Sequence, residues 1–180
     1  MPWHIDTVRS RVGFAVKHMM VATVRGQFRK YSATIHLLPE DFTRSAFEGE
    51  IEMASVDTGN ADRDDYLRTS EFLDAARHPK IAFASTRIES RGGSRYVACG
   101  DLTIRGVTRP VAVDVEYLGT SKNPSGRTIA RIRARGAIRR KDFGVSLGAM
   151  LEAGGATMGE KVMLEIEIEA THLEDAAPAT

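Results

Sequence analysis

The sequence predicts an all-β protein of about eight antiparallel strands, and three observations support this class. Apolar and polar residues alternate through several segments, which is typical of strands that bury one face in an antiparallel sheet. Turn signals such as Gly92-Gly93-Ser94 separate these segments. Only one stretch, 60–76, has the pattern of a helix. Long amphipathic strands in a row form a two-sheet sandwich or a closed barrel, and closure removes the exposed strand edges.

Four segments show the alternation clearly. Their apolar positions are Val12, Phe14 and Val16; Phe47, Ile51 and Met53; Val111, Val113, Val115 and Tyr117; and Val162, Leu164, Ile166 and Ile168. Weaker strand patterns occupy 25–38, 81–89, 96–104 and 128–139. Because successive side chains of a strand point to opposite faces, we expect each segment to bury one face and expose the other.

Two stretches interrupt the strand pattern. In 60–76, Asn60 stands where an N-cap belongs, acidic residues follow in the first turns, and Pro79 prevents the helix from continuing. The stretch 143–159 contains five glycines among apolar residues, which favours an apolar loop over one end of the fold. We expect a single domain over residues 1–172 and a flexible tail over 173–180.

The composition excludes several classes of function. The 25 Lys and Arg residues balance 24 Asp and Glu residues, so the net charge of +1 gives no reason to expect nucleic acid as a partner. A single cysteine, Cys99, forms no internal disulfide and no thiolate metal cage. No histidine pair has metal-ligand spacing and no serine-nucleophile motif occurs, so we expect no metal site and no enzyme. No apolar run is long enough for a transmembrane helix.

The faces expected to point inward contain many small residues. In 128–139, three of the five inward positions are alanine or glycine, while arginines occupy the other face. The inward side chains of a closed eight-stranded barrel either just fill it or leave room for one small ligand, depending on their size. The residues therefore leave two interpretations open. The interior is an apolar cavity, or the helix or the 143–159 segment fills it.

Several motifs resemble the YceI-like family. They are Trp3-His4-Ile5-Asp6, the segment 10–28, the segment 60–68, the segment 72–83, GDLTIRGVTRPV at 100–111, and Lys141-Asp142-Phe143-Gly144. The resemblance covers about residues 3–171, with the motifs in the family's order. It implies an eight-stranded antiparallel, lipocalin-like barrel with a short helical insertion at about 60–76 and a glycine-rich loop at 143–159.

The resemblance also implies binding of a polyisoprenoid lipid in an elongated apolar cavity, with a long-chain quinone or a prenyl phosphate as examples. We therefore expect non-enzymatic transport or sequestration of such a lipid, with no cofactor. Many members are periplasmic and often dimeric. Because no signal-peptide pattern stands at the N-terminus, we expect a cytoplasmic location, and the resemblance implies a homodimer. Two alternatives stay open: an enzyme acting on an isoprenoid or quinone, and a protein-binding module with a packed barrel.

The strand phases then select candidate ligand contacts. The expected wall residues of the cavity are Phe14, Val16, Phe28, Phe83, Leu102 and Leu164. Leu147 and Met150 would contact the ligand at the entrance or form a dimer contact. His18, Arg63 and Arg140 would donate hydrogen bonds to a quinone oxygen or a phosphate. A register shift of one residue would exchange the two faces of a strand, so the wall assignments depend on the phase.

Overall fold

The computed structural model describes residues 2–18, 22–145 and 158–172, and only the backbone of Pro2, His18 and Met158. The strands in this part of the chain are β1 (Pro2–Ile5), β2 (Arg11–His18), β3 (Ala22–Phe28), β4 (Tyr31–His36), β5 (Ala46–Glu52), β6 (Val56–Asp57), β7 (Lys80–Gly92), β8 (Arg95–Ile104), β9 (Val107–Lys122), β10 (Thr128–Arg139) and β11 (Met158–His172). The helix α1 spans Ala61–Leu67. Short 3-10 turns lie at Phe42–Arg44, Met53–Ser55 and Arg140–Phe143.

The strands form one antiparallel sheet that closes on itself. One edge of β11 pairs with β10, and its other edge pairs first with β2 and then with β1. β1 also pairs with β4, while β2 pairs with β3. Thus β1 and β2 together make one barrel strand, and β3 and β4 make another. With β5 and β7 to β11, the result is the closed 8-strand antiparallel barrel that the sequence predicts.

The register of β10 against β11 shows how alternating apolar and charged residues form the inner and outer faces of the barrel. Inward Ile132 and Ala134 lie opposite Ile168 and Ile166. On the outer face, arginines of β10 lie opposite glutamates of β11: Arg131 Nε is 3.2 Å from a Glu169 carboxylate oxygen. Arg133 lies 3.6 Å from both Glu116 and Glu167. Because unlike charges are paired across the strands, the arginine stripe is not an isolated basic surface.

The predicted helix is shorter than the sequence pattern indicates. Asn60 is the N-cap as predicted, and its side-chain oxygen accepts a hydrogen bond from the Arg63 amide at 3.0 Å. However, α1 ends at Leu67, and residues 68–77 are mostly turns. The chain folds back there because the Leu73 amide donates to the Leu67 carbonyl at 3.0 Å. This turn buries Phe72 and Leu73, so tertiary packing replaces the last two helical turns.

The predicted loop at 143–159 begins and ends within regular structure. Phe143 completes a 3-10 turn and is buried, and Gly144 follows with a φ of 70°, which glycine adopts without strain. At the other end, Met158 and Gly159 already belong to β11. Residues 146–157, with Leu147 and Met150, lie outside the described residues, as does the tail 173–180.

Two buried clusters lie at opposite ends of the barrel. The first takes residues from the end of β4, the start of β8 and the end of β9, with Phe42 among its members. The second takes residues from the start of β7, the end of β8 and the start of β9, together with Phe72, Leu73 and Phe143. Because the strands are antiparallel, these positions belong to opposite ends. We call the end that contains Phe42 the capped end.

Phe42 closes the capped end from the connection between β4 and β5. Its ring stacks on Tyr117 with centroids 4.7 Å apart and lies 4.6 Å from Tyr96. Two hydrogen bonds fix the connection: Asp41 accepts from the Thr43 amide at 3.2 Å, and the Leu38 amide donates to the Ser45 hydroxyl at 2.9 Å. The ring is therefore buried inside an ordered turn.

Tyr117 provides a test of how dry the capped end is. Burial raises the pKa of its phenol, with smaller contributions from Tyr96 and Glu40. The protonated phenol therefore stabilises the fold below the ordinary tyrosine pKa of about 10, and this stabilisation is lost as the pH rises further. We expect ultraviolet titration to show two late-ionising tyrosines, Tyr117 and Tyr31, since burial also raises the pKa of Tyr31, and Tyr117→Phe should remove one of them. An unchanged late phase in Tyr117→Phe would contradict the placement of Tyr117.

Candidate functional site

A cavity of about 420 Å³ lies inside the barrel, between the two buried clusters. Small residues on four strands make space for it: Ala33, Gly49, Ala98 and Ala134. Sites for small molecules in proteins usually measure about 300–1,000 Å³. The described residues therefore enclose a cavity that α1 does not fill, whereas the interpretation that the 143–159 segment fills it concerns residues 146–157, which lie outside the described residues.

Two glycines on the inward faces of their strands accommodate phenyl rings and do not enlarge the cavity. A Cβ atom at Gly26 would lie 2.4 Å from Cζ of Phe14, and one at Gly100 would lie 2.6 Å from the ring of Phe83. Phe14 is the direct partner of Gly26 in the β2–β3 ladder. Each glycine therefore lets a phenyl ring lie against the backbone of the neighbouring strand, as in aromatic–glycine pairs elsewhere in β-sheets. The space gained holds the ring rather than a ligand.

The described cavity lining is almost entirely hydrocarbon. Glu48 and Glu50 contribute to it from outward positions of β5, and the Glu50 carboxylate accepts a hydrogen bond from Lys80 at 2.7 Å on the outer face. The remaining charged residues of the described lining are Arg63 and Arg140. Both lie with the second cluster, at the end opposite Phe42, and we call this the charged end. Arg63 is exposed to solvent and also lines the cavity, so its side chain stands between the cavity and the surface.

A short series of hydrogen bonds orients Arg63. Its Nε and Nη2 donate to the hydroxyl and the carbonyl of Thr58, both at 2.8 Å. Thr58 is itself held by Asp64, a carboxylate only 6% exposed, which accepts from the Thr58 amide at 3.0 Å and from its hydroxyl. Among the described residues, Nη1 of Arg63 has no hydrogen-bond partner. A buried carboxylate thus positions a cationic donor beside the cavity.

Arg140 is buried at the same end and binds backbone on both sides of the undescribed segment. Its Nε donates to the Gly159 carbonyl and its Nη1 to the Val145 carbonyl, each at 3.0 Å. These bonds connect the 3-10 turn Arg140–Phe143 and the residues after it to the start of β11. Arg140 therefore holds this end of the barrel together, which the sequence pattern did not indicate.

The structure places most of the predicted site residues around the cavity. Eight of the eleven candidates line the cavity: Phe14, Val16, Phe28, Arg63, Phe83, Leu102, Arg140 and Leu164. His18 ends β2 with its backbone opposite Ala22, and its side chain is not described. Leu147 and Met150 lie outside the described residues. Contact with a ligand stays a prediction for all eleven residues.

Some lining residues were missed because they belong to turns. Phe72, Leu73, Phe143 and Val145 complete the lining at the charged end, where no strand alternation marks them. Thr58 and Asp64 were also missed, since their contact depends on how the chain turns into α1. The apolar character of Phe72 and Leu73 was the only signal in the sequence, and it fitted a helix equally well.

Within residues 2–18, 22–145 and 158–172, no cluster of three or more His, Cys, Asp or Glu side chains could hold a metal ion. No helix in the same part of the chain has the length and apolar character needed to cross a membrane.

Sequence comparison finds relatives over almost the whole chain. The model of the YceI-like domain family matches residues 3–170. A UPF0312 protein of Staphylococcus epidermidis is 33% identical over 168 residues, which cover 93% of this chain and 95% of the relative. A UPF0312 protein of Staphylococcus aureus is 32% identical over 165 residues, which cover 91% and 94% of the two chains.

Structural comparison finds the same barrel in solved proteins. Burkholderia cenocepacia BcnA aligns with a TM-score of 0.80 at 25% identity, over 92% of this chain and 98% of its own. A Campylobacter jejuni YceI protein aligns with a TM-score of 0.75 at 29% identity, over 87% and 89%. A polyisoprenoid binding domain from Saccharophagus degradans, implicated in plant cell wall breakdown, has a TM-score of 0.68 at 15% identity, over 94% and 97%. That last likeness concerns the fold alone.

Proposed function

Because the chain belongs to the YceI-like domain family, we propose that it binds a polyisoprenoid lipid inside the barrel and does not chemically change it. The cavity carries this proposal, since it is an apolar chamber of about 420 Å³ with its two lining arginines at one end. The Saccharophagus degradans domain, which has the same fold, is described as polyisoprenoid-binding. The ligand class is a lipid with one isoprenoid chain and a small polar head, such as a long-chain quinone or a prenyl phosphate.

Burial of the chain supplies enough free energy for useful affinity. Each buried CH₂ group contributes about 0.8 kcal/mol, and micromolar affinity corresponds to about 8.2 kcal/mol. A chain of a few isoprene units therefore reaches this range, even after part of the gain is lost to the entropic cost of association. Such binding requires no directional contact along the chain, which explains why the sequence carries no sharp ligand motif.

The polar head of the ligand is assigned to the charged end. Arg63 is positioned there by Thr58 and leaves one guanidinium nitrogen free among the described residues. An arginine donor suits a phosphate oxygen and also a quinone oxygen. Arg140 and His18 remain proposed neighbours of the head, although Arg140 already donates to two carbonyls.

The two alternatives make different demands on the interior. An enzyme acting on an isoprenoid would require an acid, a base or a metal ion that converges on the cavity, whereas the described lining offers two arginines and outward glutamates. A module that binds proteins through its outer surface requires no cavity. What supports the lipid-binding role over both is therefore the combination of apolar space and a cationic end.

Transport in the cytoplasm by a homodimer belongs to the same proposal. The family resemblance supports dimer formation, and sedimentation at micromolar concentration tests it directly. We expect the mass of two chains, and a mass of one chain at all concentrations would contradict this part of the proposal.

Thermal unfolding with added ligands tests lipid binding. A ligand present at about one hundred times its Kd stabilises the folded state by about 2.7 kcal/mol. For a protein of this size, that raises Tm by roughly 5–10 °C. We expect this rise with a long-chain quinone or a prenyl phosphate. The matched controls are a quinone without an isoprenoid chain and inorganic phosphate, and neither should raise Tm.

Two outcomes of this experiment would contradict the proposal. The first is a Tm that no isoprenoid compound changes. The second is an equal rise with the chain-free controls, because the stabilisation would then come from the head alone.

A further inference from the structure

We infer that Phe42 sets the longest isoprenoid chain that the cavity accepts, so that the capped end determines chain-length selectivity. This inference rests on the proposed function and extends it, because neither the family nor the cavity volume says where the ligand chain must stop.

The cavity extends as far as the residues packed around Phe42. Ile35, Phe47 and Ala98 line the cavity and also belong to, or pack against, the buried cluster of the capped end. Phe42 belongs to the same cluster but is not among the lining residues. Its ring centroid is 5.8 Å from that of Phe47, which does line the cavity. Phe42 therefore packs against residues that line the cavity at the capped end, without lining the cavity itself.

The surroundings of Phe42 oppose its displacement by a ligand. The ring is only 2% exposed and touches Phe47, Tyr96 and Tyr117. Hydrogen bonds made by Asp41 and Ser45 fix the short turn that carries it. Protein interiors are packed as densely as organic crystals, so a chain that moved this ring would lose contacts on every side.

The charged end supplies the other boundary. A ligand whose head lies at Arg63 places its chain toward Phe42, since these residues stand at opposite ends of the cavity. Each added isoprene unit then buries more apolar surface until the chain reaches the capped end. A longer chain has to fold back or withdraw its head from Arg63. Affinity should therefore rise with chain length to a limit and fall beyond it.

The test is the affinity for prenyl monophosphates of increasing chain length, measured by competition with a fluorescent apolar probe. The ring removed by Phe42→Ala has one carbon more than an isoprene unit, and apolar cavities made by truncating a core residue take up apolar ligands. We expect wild-type protein to show a limit and Phe42→Ala to move it upward by about one unit. An unchanged limit in a folded Phe42→Ala protein overturns the inference.

Two further variants locate the limit within the barrel. Phe83→Ala removes the same ring from the wall near the charged end, where Phe83 lies over Gly100. It should change affinities along the whole series but leave the limit where it is. Ala98→Leu fills space at the capped end and should lower the limit by about one unit. Equal shifts of the limit in Phe42→Ala and Phe83→Ala would overturn the inference.

If Phe42→Ala does not fold, Phe42→Leu replaces it in the test. Leucine keeps an apolar side chain in the turn and is smaller than the phenyl ring. It should move the limit in the same direction by less. The outcomes separate the two proposals. Wild-type protein that binds neither a prenyl phosphate nor a long-chain quinone of any length contradicts the proposed function; where only quinones bind, the same series of chain lengths is measured with quinones. Wild-type protein that binds them, with the same limit in Phe42→Leu and Ala98→Leu, contradicts this inference alone.

Discussion

Phe83→Asp should lower the affinity for a prenyl lipid at least about a hundredfold. The variant places a carboxylate in the apolar wall of the cavity, on a strand that contributes only Ile81 and Phe83 to the described lining. An unpaired charge against a hydrocarbon chain costs several kcal/mol, and about 2.7 kcal/mol already corresponds to a hundredfold loss. The measurement is a binding titration with the lipid that stabilises the wild-type protein best, performed on variant protein shown to be folded by circular dichroism.

Ala82→Asp is the matched control for this variant. Ala82 precedes Phe83 on β7 and points to the outer face, where Thr103 of β8 and Glu50 of β5 lie opposite it. The new carboxylate stands outside the cavity, so its repulsion with Glu50 acts on stability rather than on the lipid, and we expect wild-type affinity in the folded variant. Folded Phe83→Asp that binds the lipid as well as Ala82→Asp does would show that the ligand does not occupy the barrel.

Arg140→Leu should lower the free energy of unfolding by about 2–4 kcal/mol, because the buried carbonyl of Val145 and the half-buried carbonyl of Gly159 each lose a donor. Leucine retains apolar volume, so the loss reports mainly the missing hydrogen bonds. Urea unfolding measures the free energy. Hydrogen exchange should also become faster at residues 143–145 and 159–161, on the two sides that Arg140 connects.

Arg139→Leu provides the comparison for Arg140→Leu. Arg139 is the preceding residue, is exposed on β10 and lies opposite Lys161. Surface substitutions of this kind usually change stability by less than about 0.5 kcal/mol. If both variants lose the same stability, the buried hydrogen bonds of Arg140 do not stabilise this end of the barrel in the way the structure indicates.

The strand pattern could be predicted because antiparallel strands with one buried face alternate in sequence. Val12, Phe14 and Val16 on β2, and Leu164, Ile166 and Ile168 on β11, therefore appear on the cavity side in both the sequence analysis and the structure. The end of α1 could not be predicted. It depends on the backbone of Leu73 returning to Leu67, a contact that propensity does not encode.

The parts of the site that lie on strands could be predicted from the sequence, and the parts that lie in turns could not. Phe143 and Val145 escaped prediction because they lie in turns without periodicity. Phe42 is a single aromatic residue in a connection, and its closing role appears only when Tyr96 and Tyr117 are brought beside it. The role of Gly26 could not be predicted for a related reason. Whether it leaves space or accommodates a ring depends on the register that places Phe14 opposite it.

Native mass spectrometry of the purified protein, followed by organic extraction and identification of what is released, is the measurement that reports lipid binding with the fewest intermediate steps. We expect an isoprenoid lipid at close to one molecule per chain, or uptake of one when long-chain quinones and prenyl phosphates are added. A protein that has the mass of its chain alone, and that takes up none of these lipids, would show that the barrel does not bind them.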